Sequence, residues 1–253
     1  MFDDVFLLKL FISFIVSGAY LVLILRIAEK VGTKLGSIIL SLPSTTLFSL
    51  LFIGWTSGIT VATDAALIAQ IGFIGIFVFV LTFVLSTSFL SLLLALLLWA
   101  ISAFFLSTLQ LDIFYSFGLA IIALIPCFLI LRKVKPEKTT MKSTTRQNIF
   151  RFILVGSLIS FTIIVSKLGG PVLGGIFSIF PAMYTSTFYL AYKDYGKNFA
   201  RSIAANTVYG FLGFAIYPFA VYLLYPVYGL IIGTMASYLI SLIITYLFNI
   251  LFK

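Results

Sequence analysis

Apolar runs of about 20 residues follow one another along this chain with only short polar gaps, and about 20 is the number a helix needs to cross the hydrocarbon core of a bilayer. Bounded by glycine, proline, charge or Ser/Thr clusters, the runs fall at residues 5–28, 34–55, 65–86, 88–107, 112–131, 149–167, 171–192, 199–224 and 226–251. Water is the wrong solvent for such a chain. Only 9% of its 253 residues are charged, about a third of the share in an average soluble domain. The expected fold is all-α, a polytopic membrane protein of about nine transmembrane helices with the lipid bilayer as its first partner. The longest hydrophilic stretch, around Arg132 to Arg151, leaves no room within the chain for an appended soluble domain.

Histidine is absent and cysteine occurs once, at Cys127. Zinc, haem and iron–sulfur sites need imidazole or several thiolates, so neither metal nor redox cofactor is expected. No nucleophile and base fall within plausible reach of one another: there is no Gly-x-Ser-x-Gly, no pair of aspartates within the spans and no acidic cluster to hold a metal. The chain does not read as an enzyme.

The net charge of +9 is topological information rather than a nucleic-acid signal. With nine crossings and the N-terminus outside, 14 of the 16 Lys and Arg residues fall on the inner side, and only Lys9 and Lys167 on the outer. Such a bias sets orientation by the positive-inside rule, giving a plasma-membrane protein with its N-terminus out and its C-terminus in. The start, MFDDVFLLKL, has two acids and lacks a basic n-region and cleavage site, so it reads as a retained helix. The basic stretch 132–148 reads as a solvated cytoplasmic linker in preference to a lipid-headgroup or nucleic-acid patch.

Shifted by 138 residues, positions 14–85 align with 152–223 without a gap, and six of the seven glycines in the first window meet a glycine in the second. Apolar coincidences are cheap in a membrane protein, but glycine coincidences are not. The copies begin five crossings apart, so they face opposite ways across the bilayer. The expected organisation is a first four-helix repeat (1–111), a linking helix with a cytoplasmic loop (112–148), and a second, inverted four-helix repeat (149–253). Inverted repeats build many secondary transporters; the alternative is a duplication kept for packing alone.

The second helix of each copy carries a mid-span proline, Pro43 and Pro181. Proline removes the bond to the carbonyl four residues back, here Ile39 and Phe177, and in lipid a freed carbonyl must find a partner or line a wet cavity. Hydroxyls flank both breaks: Ser41, Ser44, Thr45 and Thr46 in one copy, Tyr184, Thr185 and Ser186 in the other. Half-helix N-termini there would present N–H groups and a positive dipole end. With Gln70 and Asn206 as polar positions in neighbouring spans, these residues form the candidate substrate site, the alternative for each being inter-helix glue. Tyr209, Tyr217, Tyr222, Tyr225 and Tyr228 read as an interfacial aromatic belt.

The sequence Leu-Gly-Ser-Ile-Ile-Leu-Ser-Leu-Pro from Leu35, followed by Leu47, Leu50 and Leu51, resembles the motif of the GlpM-like family of small bacterial inner-membrane proteins. The resemblance covers about 20 residues and the hydrophobic layout, about one span's length; the second copy departs from it after Pro181 with Ala-Met-Tyr. What the resemblance implies is a membrane protein built on this Gly/Pro helix, near envelope carbohydrate or lipid-linked intermediates, since that family is associated with exopolysaccharide production. The functional expectation is a secondary transporter or flippase moving a small polar or anionic solute, or a lipid-linked headgroup, by alternating access. The alternative is a non-transporting scaffold for an envelope-synthesis complex. Sequence does not specify oligomeric state.

Overall fold

In the computed structural model, which describes residues 3–31, 39, 42–135, 137 and 143–251, every regular element among those residues is a helix. In chain order they are α1 (Asp4–Lys30), α2 (Ser44–Ser57), α3 (Ile59–Gly72), α4 (Ile74–Ser86), α5 (Phe89–Ser107), α6 (Ile113–Leu131), α7 (Thr145–Ser178), α8 (Ala182–Tyr195), α9 (Lys197–Asn206) and α10 (Phe211–Leu251). A 3-10 turn, Thr207–Gly210, joins α9 to α10.

Local chemistry starts these helices where it should. Asp3 accepts from the Phe6 N–H at 3.0 Å, and Asp112 from the N–H groups of Phe114 and Tyr115 at 2.8 and 3.2 Å. Ser88 with Ser91, and Thr144 with Gln147, form capping boxes.

Six stretches are long and apolar enough to cross a membrane: Asp4–Lys30, Ile59–Ser86, Phe89–Ser107, Ile113–Leu131, Thr145–Tyr195 and Lys197–Leu251. Their surfaces agree with that environment. On α5 the buried stripe is Ser91, Leu92, Ala95, Trp99 and Ala103, while Leu90, Leu93, Leu94, Leu97 and Ile101 face outward. The last half of α10 turns Thr234, Ser237, Ser241 and Thr245 inward and Ile231, Ile232, Met235, Leu239 and Ile243 outward. A helix with small and hydroxyl groups inside and a continuous apolar outside suits lipid, where close packing and hydrogen bonds hold helices together. The chain is a multi-pass membrane protein.

The helix breaks depart from the nine expected runs in four places, the expected 199–224 run being divided by the 3-10 turn between α9 and α10. The run expected at 65–86 is two helices, α3 and α4, and begins at Ile59, because Gly58 and not the later polar residues ends the preceding helix. The break expected near 224/226 lies at Gly229: Pro218 and Pro226 are carried inside α10, whereas Gly229 takes φ 72°, ψ −178°, which only glycine adopts freely. The expected 171–192 run is cut at Pro181, and α7 runs on through a kink at Gly170 as far as Ser178. Most of 34–41, including Ser41, lies outside the described residues.

Positions 138 residues apart share local geometry in detail. Pro43 caps α2 with φ −76°, ψ 45°, and Pro181 caps α8 with φ −78°, ψ 44°. Both helices span 14 residues and end at glycines with positive φ, Gly58 at 102° and Gly196 at 85°. The turns into them are bonded alike: Leu42 N–H to Ile39 and Phe180 N–H to Phe177 at 3.2 Å, then Ser44 to Leu42 and Ala182 to Phe180 at 2.7 and 2.8 Å. α1 crosses α7 reciprocally. Gly18 faces the Phe152 carbonyl, Gly156 faces that of Phe14, and the two phenylalanine rings meet edge to face at 5.5 Å. α7 packs against α1, α2 and α3, and α10 against α3.

Candidate functional site

The first turn of α2 offers three consecutive hydroxyls, and residues about 100° apart around a helix must face different neighbours. Ser44 lies against Tyr238. Thr45 faces a small cavity, and Thr46 donates from Oγ1 to the Ser178 carbonyl at 3.2 Å. That last bond ties the first broken helix to the turn before the second.

The cavity sits between the two proline breaks. Leu42 and Thr45 line it from one side, Ile179, Phe180, Pro181, Met183 and Tyr184 from the other, with Ile76 and Phe214 closing it. Its volume is about 10 Å³, room for about one water molecule. The structure therefore brings Thr45, Pro181 and Tyr184 to one cavity and leaves Gln70 and Asn206 outside its lining.

Two of the expected hydroxyl donors are spent within their own helix. Thr185 Oγ1 donates to the Pro181 carbonyl at 2.7 Å and Ser186 Oγ to the Met183 carbonyl at 3.1 Å, the back-bonding typical of Ser and Thr inside helices. The Phe177 carbonyl, released by Pro181, is taken by the Phe180 N–H and approached by the Thr162 hydroxyl at 3.5 Å. Asn206 Nδ2 donates to the Ser202 carbonyl at 2.7 Å, which makes it a strut within its own helix. Among the described candidate residues, Ser44 Oγ, the Tyr184 hydroxyl and both amide atoms of Gln70 are left without a hydrogen-bond partner, as is the neighbouring Thr187 Oγ1. Gln70 is fully buried, and an amide left unbonded in such a place costs about 1–3 kcal/mol. Gln70→Leu, of similar volume, is accordingly expected to raise the thermal stability of the purified protein by that amount, read from its unfolding transition.

A second polar cluster has no counterpart among the expected site residues. Tyr20 and Tyr238 share a hydroxyl–hydroxyl bond of 2.8 Å, and Tyr225 bonds Thr234 at 2.7 Å. Tyr217, fully buried, has its ring centre 6.3 Å from that of Tyr238. Tyr217 and Tyr225 thus do not belong to the expected interfacial belt; they are interior. Tyr228 is exposed and Tyr209 and Tyr222 half-buried. The sequence signal for this cluster was the hydroxyl spacing on α10, Thr234, Ser237, Ser241 and Thr245, which marks an inward polar stripe. The residues 138 positions from Tyr20 and Tyr217 are Leu158 and Phe79, so at each of these matched positions only one copy carries a tyrosine hydroxyl.

Charge collects at one end of the bundle. Arg151, 1% exposed, donates from Nη1 to Ser143 Oγ at 2.8 Å, and Glu29 accepts from the Ser143 N–H at the same distance. Asp194 accepts from Gln147 Nε2 at 2.7 Å. Among the described residues no group of three or more His, Cys, Asp or Glu is placed to hold a metal ion. Compared with family models, curated proteins and solved structures, the chain matches none.

Proposed function

We propose that the chain is a small secondary transporter or flippase in which two inverted-topology halves part and close around the cavity between Pro43 and Pro181, the substrate being a small polar or anionic group. One observation carries the reading: two broken helices of equal length, with the same capping dihedrals and the same turn hydrogen bonds, place their first turns at one central cavity. Paired interrupted helices at corresponding positions mark the substrate site of many transporters. Two helix N-termini there, with hydroxyls and no acid in the lining, suit an accepting or negatively charged group. The present cavity takes about one water, so this conformation is closed and transport requires the halves to separate. In this reading the breaks within Thr145–Tyr195 and Lys197–Leu251 divide each into two crossings, the helix ending at Ser57 adds another, and nine crossings result.

A thermal-shift screen of polar and anionic solutes, including sugar phosphates, tests it, because a ligand of the folded state stabilises by RT ln(1 + [L]/Kd). For a stabilising solute, Thr45→Val with Tyr184→Phe is expected to weaken binding by about 2–10-fold per lost hydrogen bond while unfolding near the parent temperature. Unchanged affinity in the double variant contradicts the site.

The tight packing of the cavity favours a second reading, a non-transporting scaffold for an envelope-synthesis complex, which also accords with the GlpM-like resemblance. On that reading no solute stabilises the protein and a partner membrane protein co-purifies with it.

A further inference from the structure

At the end of the bundle where α4 and α6 finish and α9 begins, a groove of about 460 Å³ is lined by Val84, Leu85, Ile130 and Val134 on its apolar side and by Lys133, Lys135 and Arg201 on its charged side. The basic segment after α6 is held there by a specific contact: the Glu137 N–H donates to Ser202 Oγ at 2.8 Å, and Ser202 is 1% exposed. That anchor brings Lys133 and Lys135 beside Arg201, 66 positions beyond Lys135 in the chain. No acid lines the groove; the nearest in sequence, Glu137, is exposed. None of the three cations has an ion-pair partner among the described residues.

We propose that this groove binds the headgroup of an anionic phospholipid, its phosphodiester between Lys133, Lys135 and Arg201 and the upper part of its acyl chains against Leu85 and Ile130. The two sides of the groove carry the assignment together. Leu85 and Ile130 are 73% and 46% exposed at the ends of apolar helices, where lipid chains begin, and the cations follow within a few residues, at headgroup depth. A free phosphate would use the cations and leave the apolar wall wet; a zwitterionic lipid would use the wall and bring its own cation against three others. Basic pockets between spanning helices on the cytoplasmic side are the recurring form of such sites. By the distribution of Lys and Arg this end is the inner one. Lys133 and Lys135 are thereby taken out of the solvated linker that the 132–148 stretch was expected to form, and the groove would bind lipid whether or not the chain transports.

The test uses purified full-length protein in a neutral detergent, titrated with phosphatidylglycerol, phosphatidylcholine or inorganic phosphate and read by thermal unfolding and by native mass spectrometry of retained lipid. The expected result is saturable stabilisation and retention of phosphatidylglycerol alone. Each basic residue near an anionic surface contributes about fivefold in affinity, so the triple variant Lys133→Gln, Lys135→Gln, Arg201→Gln should bind about a hundredfold more weakly. A control, Arg146→Gln with Lys193→Gln at the separate groove beside Asp194, should bind as the parent does. All five changed positions are exposed, so the variants fold; unaltered unfolding without lipid verifies it. Equal response to phosphatidylcholine, equal response to inorganic phosphate, or equal loss in the control overturns the assignment.

Discussion

Gly156→Leu is expected to lower the stability of the purified protein by about 3 kcal/mol, at the upper end of what overpacking a filled interior costs, and Gly18→Leu by the same amount. At Gly18 even a single Cβ would lie 2.8 Å from the Phe152 carbonyl oxygen, and at Gly156 2.8 Å from that of Phe14. A flexible side chain could swing aside, but a carbonyl within a helix cannot, so α1 and α7 must move apart. In lipid, helices gain little by hiding apolar surface from one another and hold together by close van der Waals packing, which separation forfeits. Two corollaries follow from the reciprocity. The two single variants should unfold alike, and the double variant should lose less than their sum, because one crossing can be forced apart only once. Phe14→Ala should not rescue Gly156→Leu, since the backbone oxygen stays. Denaturant titration in mixed micelles measures all of these; a Gly18→Leu variant as stable as the parent would contradict the crossing.

How much of this was legible in the sequence depends on which force sets each feature. Pro43 and Pro181 could be read directly, because a missing N–H leaves few conformations in an apolar helix, and both helices begin immediately after them. The glycine coincidences also had a physical meaning, with Gly18 and Gly156 now at a single crossing. Gly229 was hidden because the nearby Pro226 is the stronger breaker on paper. Proline in a spanning helix is tolerated when neighbours satisfy the released group, and only the backbone shows which residue took the positive φ.

The site was harder. Ser, Thr and Asn look like ligands in a sequence, yet Thr185, Ser186 and Asn206 each satisfy a carbonyl of their own helix. Tyrosine suits both an interface and an interior, so Tyr217 and Tyr225 pass for belt residues until their neighbours are known; Tyr225 is buried against Thr234. Gln70 reads the same either way, and it is the absence of any hydrogen-bond partner in a fully buried place that distinguishes it.

The central claim, that two like halves lie in opposite directions across the bilayer, makes an all-or-none prediction at equivalent residues. Thr60 and Asn198 are 138 positions apart, each in the first turn of a matched helix, α3 and α9, and each is exposed. Cys127, the sole native thiol, is buried and is replaced by alanine to clear the background. Intact cells carrying Thr60→Cys or Asn198→Cys are treated with a membrane-impermeant maleimide before and after permeabilisation. Inversion predicts that the cysteine at 60 reacts in intact cells, while the cysteine at 198 is protected until the membrane is opened. Reaction of both from the same side would contradict it, and with it the pairing of opposed half-helices on which the proposed site depends.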